Sequence, residues 1–233
     1  MALNLQTLKT RSLTAVVFVV VMLAGLLWNY RSFFILFTII HFGCWYEFIK
    51  LLKKISKKNY LIFSLFGLIY ITLPMLAMLD LGISWEVNTG GDQKNEIIFS
   101  NIIPCGIIFS IWINDTMAYL VGSWIGKTPF SKISPKKTWE GTIVGAILCI
   151  VVIALLGYYV PVAKIIGVKH WIIIAAICAI FGTAGDLLES KLKRMANVKD
   201  SGSIMPGHGG FLDRFDSLLI ATPFVWLFVR YFL

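Results

Sequence analysis

Residues 186–216 read DLLESKLKRMANVKDSGSIMPGHGGFLDRFD and hold the densest chemistry of the chain. Asp186, Glu189, Asp200, Asp213 and Asp216 alternate there with Lys191, Lys193, Arg194, Lys199 and Arg214, and His208 sits inside a Pro-Gly-His-Gly-Gly turn. Carboxylates bind hard divalent cations, and ammonium and guanidinium groups neutralise phosphate. The mixture therefore suits a metal-bound phosphate substrate better than a solvated loop. Asp186, Ser190 and Arg194 are spaced i, i+4, i+8 and share a helix face, with Glu189 and Lys193 as a second i, i+4 pair beside it. Asp186 closes an apolar run. A carboxylate at the centre of a membrane helix costs about 2.5–3.5 kcal/mol, and less near an end. Asp186 therefore needs a cation, water or a metal, and both a structural ion pair and a metal ligand are open readings. Gly207, Gly209 and Gly210 permit positive φ and close approach of backbone N–H groups to phosphate oxygens. Asp213 is a second candidate metal ligand, and Arg214 either neutralises phosphate or pairs with Asp216. His208 either shapes this pocket or is a satisfied turn residue.

A second unusual region runs from Asn114 to Gly141. Asn114 and Asp115 are polar residues inside an apolar run. They are candidates for function, with interhelical hydrogen bonding as the alternative. Lys136 and Lys137 precede a helix start, where ammonium groups and helix N–H groups together favour an anion; topology-setting charge is the competing reading. Lys53, Lys54, Lys57 and Lys58 have no Gly, Asp or His beside them and read as topology alone. The chain contains no GxxxxGK[ST], GxSxG, HExxH or EF-hand pattern, which argues against a soluble-type NTPase or a serine hydrolase.

The elements that must position these residues are membrane helices. Of 233 residues, 58% are hydrophobic and only 14% are charged, against about 25% charged in ordinary soluble domains. Mean hydropathy is +0.82. The apolar stretches lack the ten-residue alternation of a barrel, so the expected fold is all-α: a polytopic integral membrane bundle of about seven transmembrane helices. The candidate spans are roughly 12–29, 32–49, 60–79, 97–121, 140–160, 171–188 and 217–233, the fourth interrupted by Pro104, Asn114 and Asp115. The first run, Leu13 to Trp28, lacks a cleavage pattern and reads as a retained helix. Residues 82–95 read as a flexible outer turn without chemistry. Cys44, Cys105, Cys149 and Cys178 lie apart in apolar runs and read as small core residues. With the N-terminus inside, most of the 21 basic residues fall on one side, together with both unusual regions. The net charge of +9 then reflects topology, anionic lipid or an anionic substrate, and no nucleic acid. One membrane-embedded domain, residues 1–233, is the simplest division, with a motif-poor first part (1–100) and a catalytic half (101–233).

At these residues the chain resembles the phosphatidate cytidylyltransferases, or CDP-diacylglycerol synthases. The match comprises Ser190, Lys193-Arg194, Lys199-Asp200, Pro206 to Gly210 and Asp213-Arg214-Phe215-Asp216. Upstream, Asn114-Asp115-Thr116, Gly126-Lys127, Ser134 to Gly141 and Trp45-Tyr46-Glu47 also look like that family. Met205 stands where Leu, Ile or Phe is usual. The resemblance implies transfer of a cytidylyl group from CTP to phosphatidate, giving CDP-diacylglycerol and pyrophosphate for phospholipid biosynthesis. It implies Mg²⁺, with a second cation left open. Asp186 and Asp213 would hold the metal. Lys193, Arg194, Lys199 and Arg214 would bind phosphate oxygens, and His208 with Gly207, Gly209 and Gly210 would shape the phosphate pocket. Asn114, Asp115, Lys136, Lys137 and Glu140 would complete the nucleotide or lipid side, and Glu189 and Ser190 would line it. Asp200 and Asp216 are either further ligands or orient the cations. The expected setting is a bacterial plasma membrane with the site on its cytoplasmic face; a homodimer is an open possibility. The alternatives are a CTP-dependent transferase acting on another lipid phosphate or a polyprenol and, from a different class, a membrane transporter. No paired halves of the kind a transporter uses are visible.

Overall fold

The computed structural model describes residues 5–87, 95–204 and 209–233, except for the side chains of 5–11, 84–87 and 95–97. The helices are α1 (Leu5–Leu27), α2 (Tyr30–Ile55), α3 (Tyr60–Ser64), α4 (Leu73–Gly82), α5 (Ile102–Ile125), α6 (Trp139–Tyr159), α7 (Val168–Met195) and α8 (Leu212–Phe232). Among the described residues, six stretches are long and apolar enough to cross a membrane: Tyr30–Ile55, Tyr60–Gly82, Ile102–Ile125, Trp139–Tyr159, Val168–Met195 and Leu212–Phe232. Ser12–Leu27 is a shorter apolar helix. The all-α membrane architecture expected above is the one observed, with a count close to seven.

Two expectations need adjustment. The fourth span is one unbroken helix, α5, that starts later than its apolar run. Pro104 sits in its first turn, where a missing N–H removes no intrahelical bond. The stretch after Gly82 is not simply a turn, because strands β1 (Ile83–Val87) and β2 (Asn95–Phe99) pair antiparallel, Ile83 opposite Phe99 and Val87 opposite Asn95.

The chain divides into two compact units, Met1–Asn101 with Met195–Phe215, and Ile102–Arg194 with Asp216–Leu233. In the first unit, α2 starts at a capping box. Asn29 Oδ1 accepts from Ser32 N at 2.9 Å, and Asn29 N donates back to Ser32 Oγ at 3.1 Å. Its buried residues Phe33, Phe37, Ile40, Cys44, Glu47, Phe48, Leu51 and Leu52 recur every three or four positions, one apolar stripe interrupted by a single acid. The third span contains a π-helical turn, Leu68–Thr72, in which Leu73 N–H donates to Leu68 O. Pro74 follows at once; its ring and missing N–H disrupt the regular ladder, and the wider turn absorbs the mismatch. Trp45 Nε1 donates to Thr72 Oγ1 at 3.0 Å and fixes α2 to this turn.

In the second unit, α5 and α6 approach closely through small residues. A Cβ at Gly145 would lie 2.6 Å from the Ala118 nitrogen, and one at Gly141 would lie 2.8 Å from Gly122 Cα. Lipid gives no hydrophobic drive between helices, so such close backbone packing is a main source of their association. Trp171 of α7 fills the gap left by Gly106 of α5 and Gly157 of α6, and its indole N–H donates to Ala163 O at 2.8 Å. Gly145→Val is expected to destabilise the folded chain by about 1–3 kcal/mol through overpacking, measured by chemical denaturation in detergent. Unchanged stability would contradict the packing described.

Candidate functional site

Residues Asp186, Glu189, Ser190 and Lys193 lie on the last turns of α7. The neighbouring face of α8 comes close because Gly182 and Gly185 have no side chains: a Cβ on Gly185 would sit 3.1 Å from Ser217 Cα. This brings Asp216 beside α7. One carboxylate oxygen from each of Asp186, Glu189 and Asp216 lies within 4.8 Å of the others. Glu189 is fully buried and Asp216 is 8% exposed, whereas the Asp186 side chain keeps 23% exposure.

Two lysines answer these acids. Lys137 pairs with Asp186 and Lys193 with Glu189. Ser190 Oγ makes a long hydrogen bond, 3.4 Å, to Asp186 Oδ1. Asp216 Oδ1 accepts from Ser217 N at 2.7 Å, and among the described residues no basic side chain pairs with it. Among the described residues, the pairs Lys137–Asp186 and Lys193–Glu189 thus leave Asp216 as the one carboxylate of the three without a basic partner. Two like charges about 5 Å apart repel by roughly 3 kcal/mol at an effective dielectric of about 20. Hard oxygen donors, convergent and partly buried, are the ligand set of Mg²⁺ or another hard divalent cation, so the residues fit the metal that the sequence implied.

Lys137 reaches Asp186 from a loop that α6 holds in place. The loop between α5 and α6 folds back on itself: Phe130 N donates to Lys137 O at 2.8 Å and Trp139 N to Thr128 O at 3.0 Å. The Phe130 and Trp139 rings lie 4.4 Å apart. Glu140, in the first turn of α6, accepts from Lys127 N at 3.2 Å and Thr128 N at 3.1 Å. Thr138 caps the helix by accepting from Gly141 N at 3.2 Å. Glu140 thus shapes the loop that presents Lys137, while Lys136 beside it is exposed. On α5, Asn114 is buried at 3% exposure. Its Oδ1 has no hydrogen-bond partner among the described residues, and Asp115 is exposed.

Other expected residues belong to the first unit. Asp213 Oδ2 accepts from Ser201 N, Ser201 Oγ and Gly210 N, each at 2.8 Å, so this carboxylate organises its own loop. Gly209 has a φ of +83°, the left-handed conformation the glycine-rich stretch predicts. Lys199, Asp200 and Arg214 are exposed in this unit, as is Arg194 in the other. Pro206, Gly207 and His208 lie outside the described residues.

Sequence reasoning gave Glu47 no part in the site. This side chain, 1% exposed, crosses from α2 to the start of α8. Its Oε1 accepts from Phe211 N at 3.0 Å, and its Oε2 from Leu212 N at 2.9 Å. Ser201 Oγ lies 2.7 Å from that same Oε2. A helix start offers unpaired N–H groups and partial positive charge, and each charge-assisted hydrogen bond contributes about 1.5–3 kcal/mol. The available signal was an acid inside the apolar stripe of a membrane helix.

The chain is thus a polytopic membrane protein of predominantly helical build, with a carboxylate–lysine cluster in its second unit. A cytidylyltransferase family model matches residues 93–232, well over half of the chain. A phosphatidate cytidylyltransferase of Rickettsia typhi is 33% identical over 228 residues, 96% of this chain and 92% of that protein. The chloroplastic phosphatidate cytidylyltransferase 4 of Arabidopsis thaliana is 40% identical over 154 residues, 64% of this chain. The phosphatidate cytidylyltransferase of Bacillus subtilis is 42% identical over 125 residues, 52% of this chain. The match spans only 37% of the plant protein and 45% of the bacillar one. The chain belongs to the cytidylyltransferase family.

The two ion pairs differ in burial, and their removal is expected to differ accordingly. Lys193→Ala removes the ammonium partner of a carboxylate with no exposure, at a cost of about 3–5 kcal/mol. Lys137→Ala breaks a pair whose side chains keep 27% and 23% exposure, at the smaller cost of about 1 kcal/mol. Denaturation of both variants in detergent checks the order; equal losses would contradict the burial described.

Proposed function

We propose that this chain transfers the cytidylyl group of CTP to phosphatidate, releasing pyrophosphate and forming CDP-diacylglycerol. The observation that supports this most is the cluster of Asp186, Glu189 and Asp216 flanked by Lys137 and Lys193, in a chain whose relatives are phosphatidate cytidylyltransferases. A phosphatidate phosphate oxygen attacks the α-phosphorus of CTP, and the bond to pyrophosphate breaks. Both reactants are anions, so the reaction needs neutralisation and alignment more than a covalent nucleophile. Asp186, with Glu189 and Asp216 beside it, would hold Mg²⁺; Asp213, the second ligand that the resemblance implied, has its Oδ2 engaged by Ser201 and Gly210. When bound, the ion would neutralise charge on the phosphates in transfer.

The chain's own residues do the rest. Lys137 and Lys193, held by carboxylates before substrate arrives, stand ready to turn to phosphate oxygens. Arg194, Lys199 and Arg214 face solvent and supply further positive charge for triphosphate or phosphatidate. Asn114 offers a buried carbonyl oxygen that still wants a donor, such as an amino or hydroxyl group. Asp213 accepts from Ser201 and Gly210 in the loop that carries Lys199, and Arg214 follows it in the first turn of α8; His208 and Gly207 remain, by the resemblance, candidates for binding phosphate. The membrane keeps the acyl chains. The basic loops favour a site at the cytoplasmic face of a cell membrane.

Asp216→Asn and Asp186→Asn are each expected to abolish turnover of labelled CTP with phosphatidate while the protein stays folded. Lys57→Ala, in the lysine-rich stretch that reads as topology alone, is expected to leave turnover within about twofold, the range of a neutral surface change. Label appearing only in a non-glycerolipid product would instead assign a different lipid phosphate or a polyprenol as acceptor. Substrate uptake into proteoliposomes without nucleotide turnover would favour a transporter.

A further inference from the structure

Three N–H groups at the end of the glycine-rich segment are already occupied. Gly210 N donates to Asp213, and Phe211 N and Leu212 N donate to Glu47. The anion nest at the start of α8 is therefore filled by two of the protein's own carboxyl groups. Its glycines fit this arrangement: a Cβ on either Gly202 or Gly210 would run into the Glu47 carboxylate. One turn earlier on α2, Gly43 leaves room for the Phe211 ring, which a Cβ there would strike. The same face of α2 thus receives the loop with a gap for an aromatic ring and a carboxylate for its backbone.

We propose that Glu47 is a positioning residue that fixes the glycine-rich loop. It does so at two points, Ser201 and Phe211–Leu212. The first adjoins Lys199 and Asp200 in sequence, and the second adjoins Asp213 and Arg214. Glu47 thereby sets where these cations stand for a polyanionic substrate without touching that substrate. Gly202 and Gly210 are glycines because Glu47 occupies the space their side chains would need. The kinetic part of this inference rests on the function proposed above; the structural part does not.

The test uses the full-length chain in detergent with Glu47→Gln, Glu47→Ala, Gly210→Ala and the Glu47→Ala/Gly210→Ala double variant. In Glu47→Gln the amide nitrogen cannot accept, so one of the two α8 N–H bonds is lost. Hydrogen exchange at Phe211 and Leu212 is expected to rise while exchange in α5 and α6 stays unchanged. With CTP and phosphatidate, KM for one of the two anionic substrates is expected to rise about tenfold, the usual scale for a supporting residue. A purely structural role would lower only the folded fraction, and so the apparent kcat, leaving both KM values alone. Removing the carboxylate makes room for the alanine methyl, so Gly210→Ala is expected to be much less damaging in the Glu47→Ala background than alone. Wild-type exchange at 211–212 in Glu47→Gln would overturn the proposal. So would increased exchange with both KM values unchanged, or additive effects in the double variant. If the wild-type chain transfers no cytidylyl group, the proposed function fails, while the exchange and coupling measurements still decide whether the clamp exists.

Discussion

Asp186, Glu189 and Asp216 gather three carboxyl groups in one patch of the second unit, and among the described residues Lys137 pairs with the first and Lys193 with the second. Charge of one sign cannot stay uncompensated where two of the three carboxylates are out of water. The elements around the patch are arranged to meet that demand. Gly182 and Gly185 thin α7 so that Asp216 can come near. Glu140 and Thr138 fold the loop after α5 so that Lys137 arrives at Asp186. A divalent cation beside Asp216 would add the positive charge that neither lysine brings to it.

The first unit solves a different electrostatic problem with similar means. Membrane helices need their terminal N–H groups satisfied, and the start of α8 has its first donors answered by a carboxyl group from another helix instead of a local cap. Glu47 supplies it from α2, while Asp213 performs the local part by accepting from Gly210 and Ser201. The cost of burying Glu47 is offset by donors that would otherwise be unpaired. The two described flanks of a loop rich in glycine, at Ser201 and at Gly210–Leu212, are thereby tied down.

Much of this was legible in the sequence, because the relevant signals are local. Hydropathy gave the helices, and i, i+4 spacing gave the Glu189–Lys193 pair on α7. Charge density pointed to the segment that follows. What was not legible depends on contacts between residues far apart in sequence. Lys136 and Lys137 are indistinguishable as text, and only the fold of their loop sends Lys137 to Asp186 and leaves Lys136 in solvent. Gly210 reads as room for phosphate, but the space beside it holds Glu47. Pro104 looked like an interruption because its place in the first turn of α5 depends on where that helix begins. The β1–β2 pair went unseen because two five-residue strands leave little periodic signal.

The most direct test of the account is a structure of the chain with Mn²⁺ in place of Mg²⁺, read by its anomalous signal. The account predicts a peak at coordination distance, about 2.0–2.2 Å, from oxygens of Asp186, Glu189 and Asp216. A fully occupied ion elsewhere in the chain, with these three carboxylates bare, would contradict it.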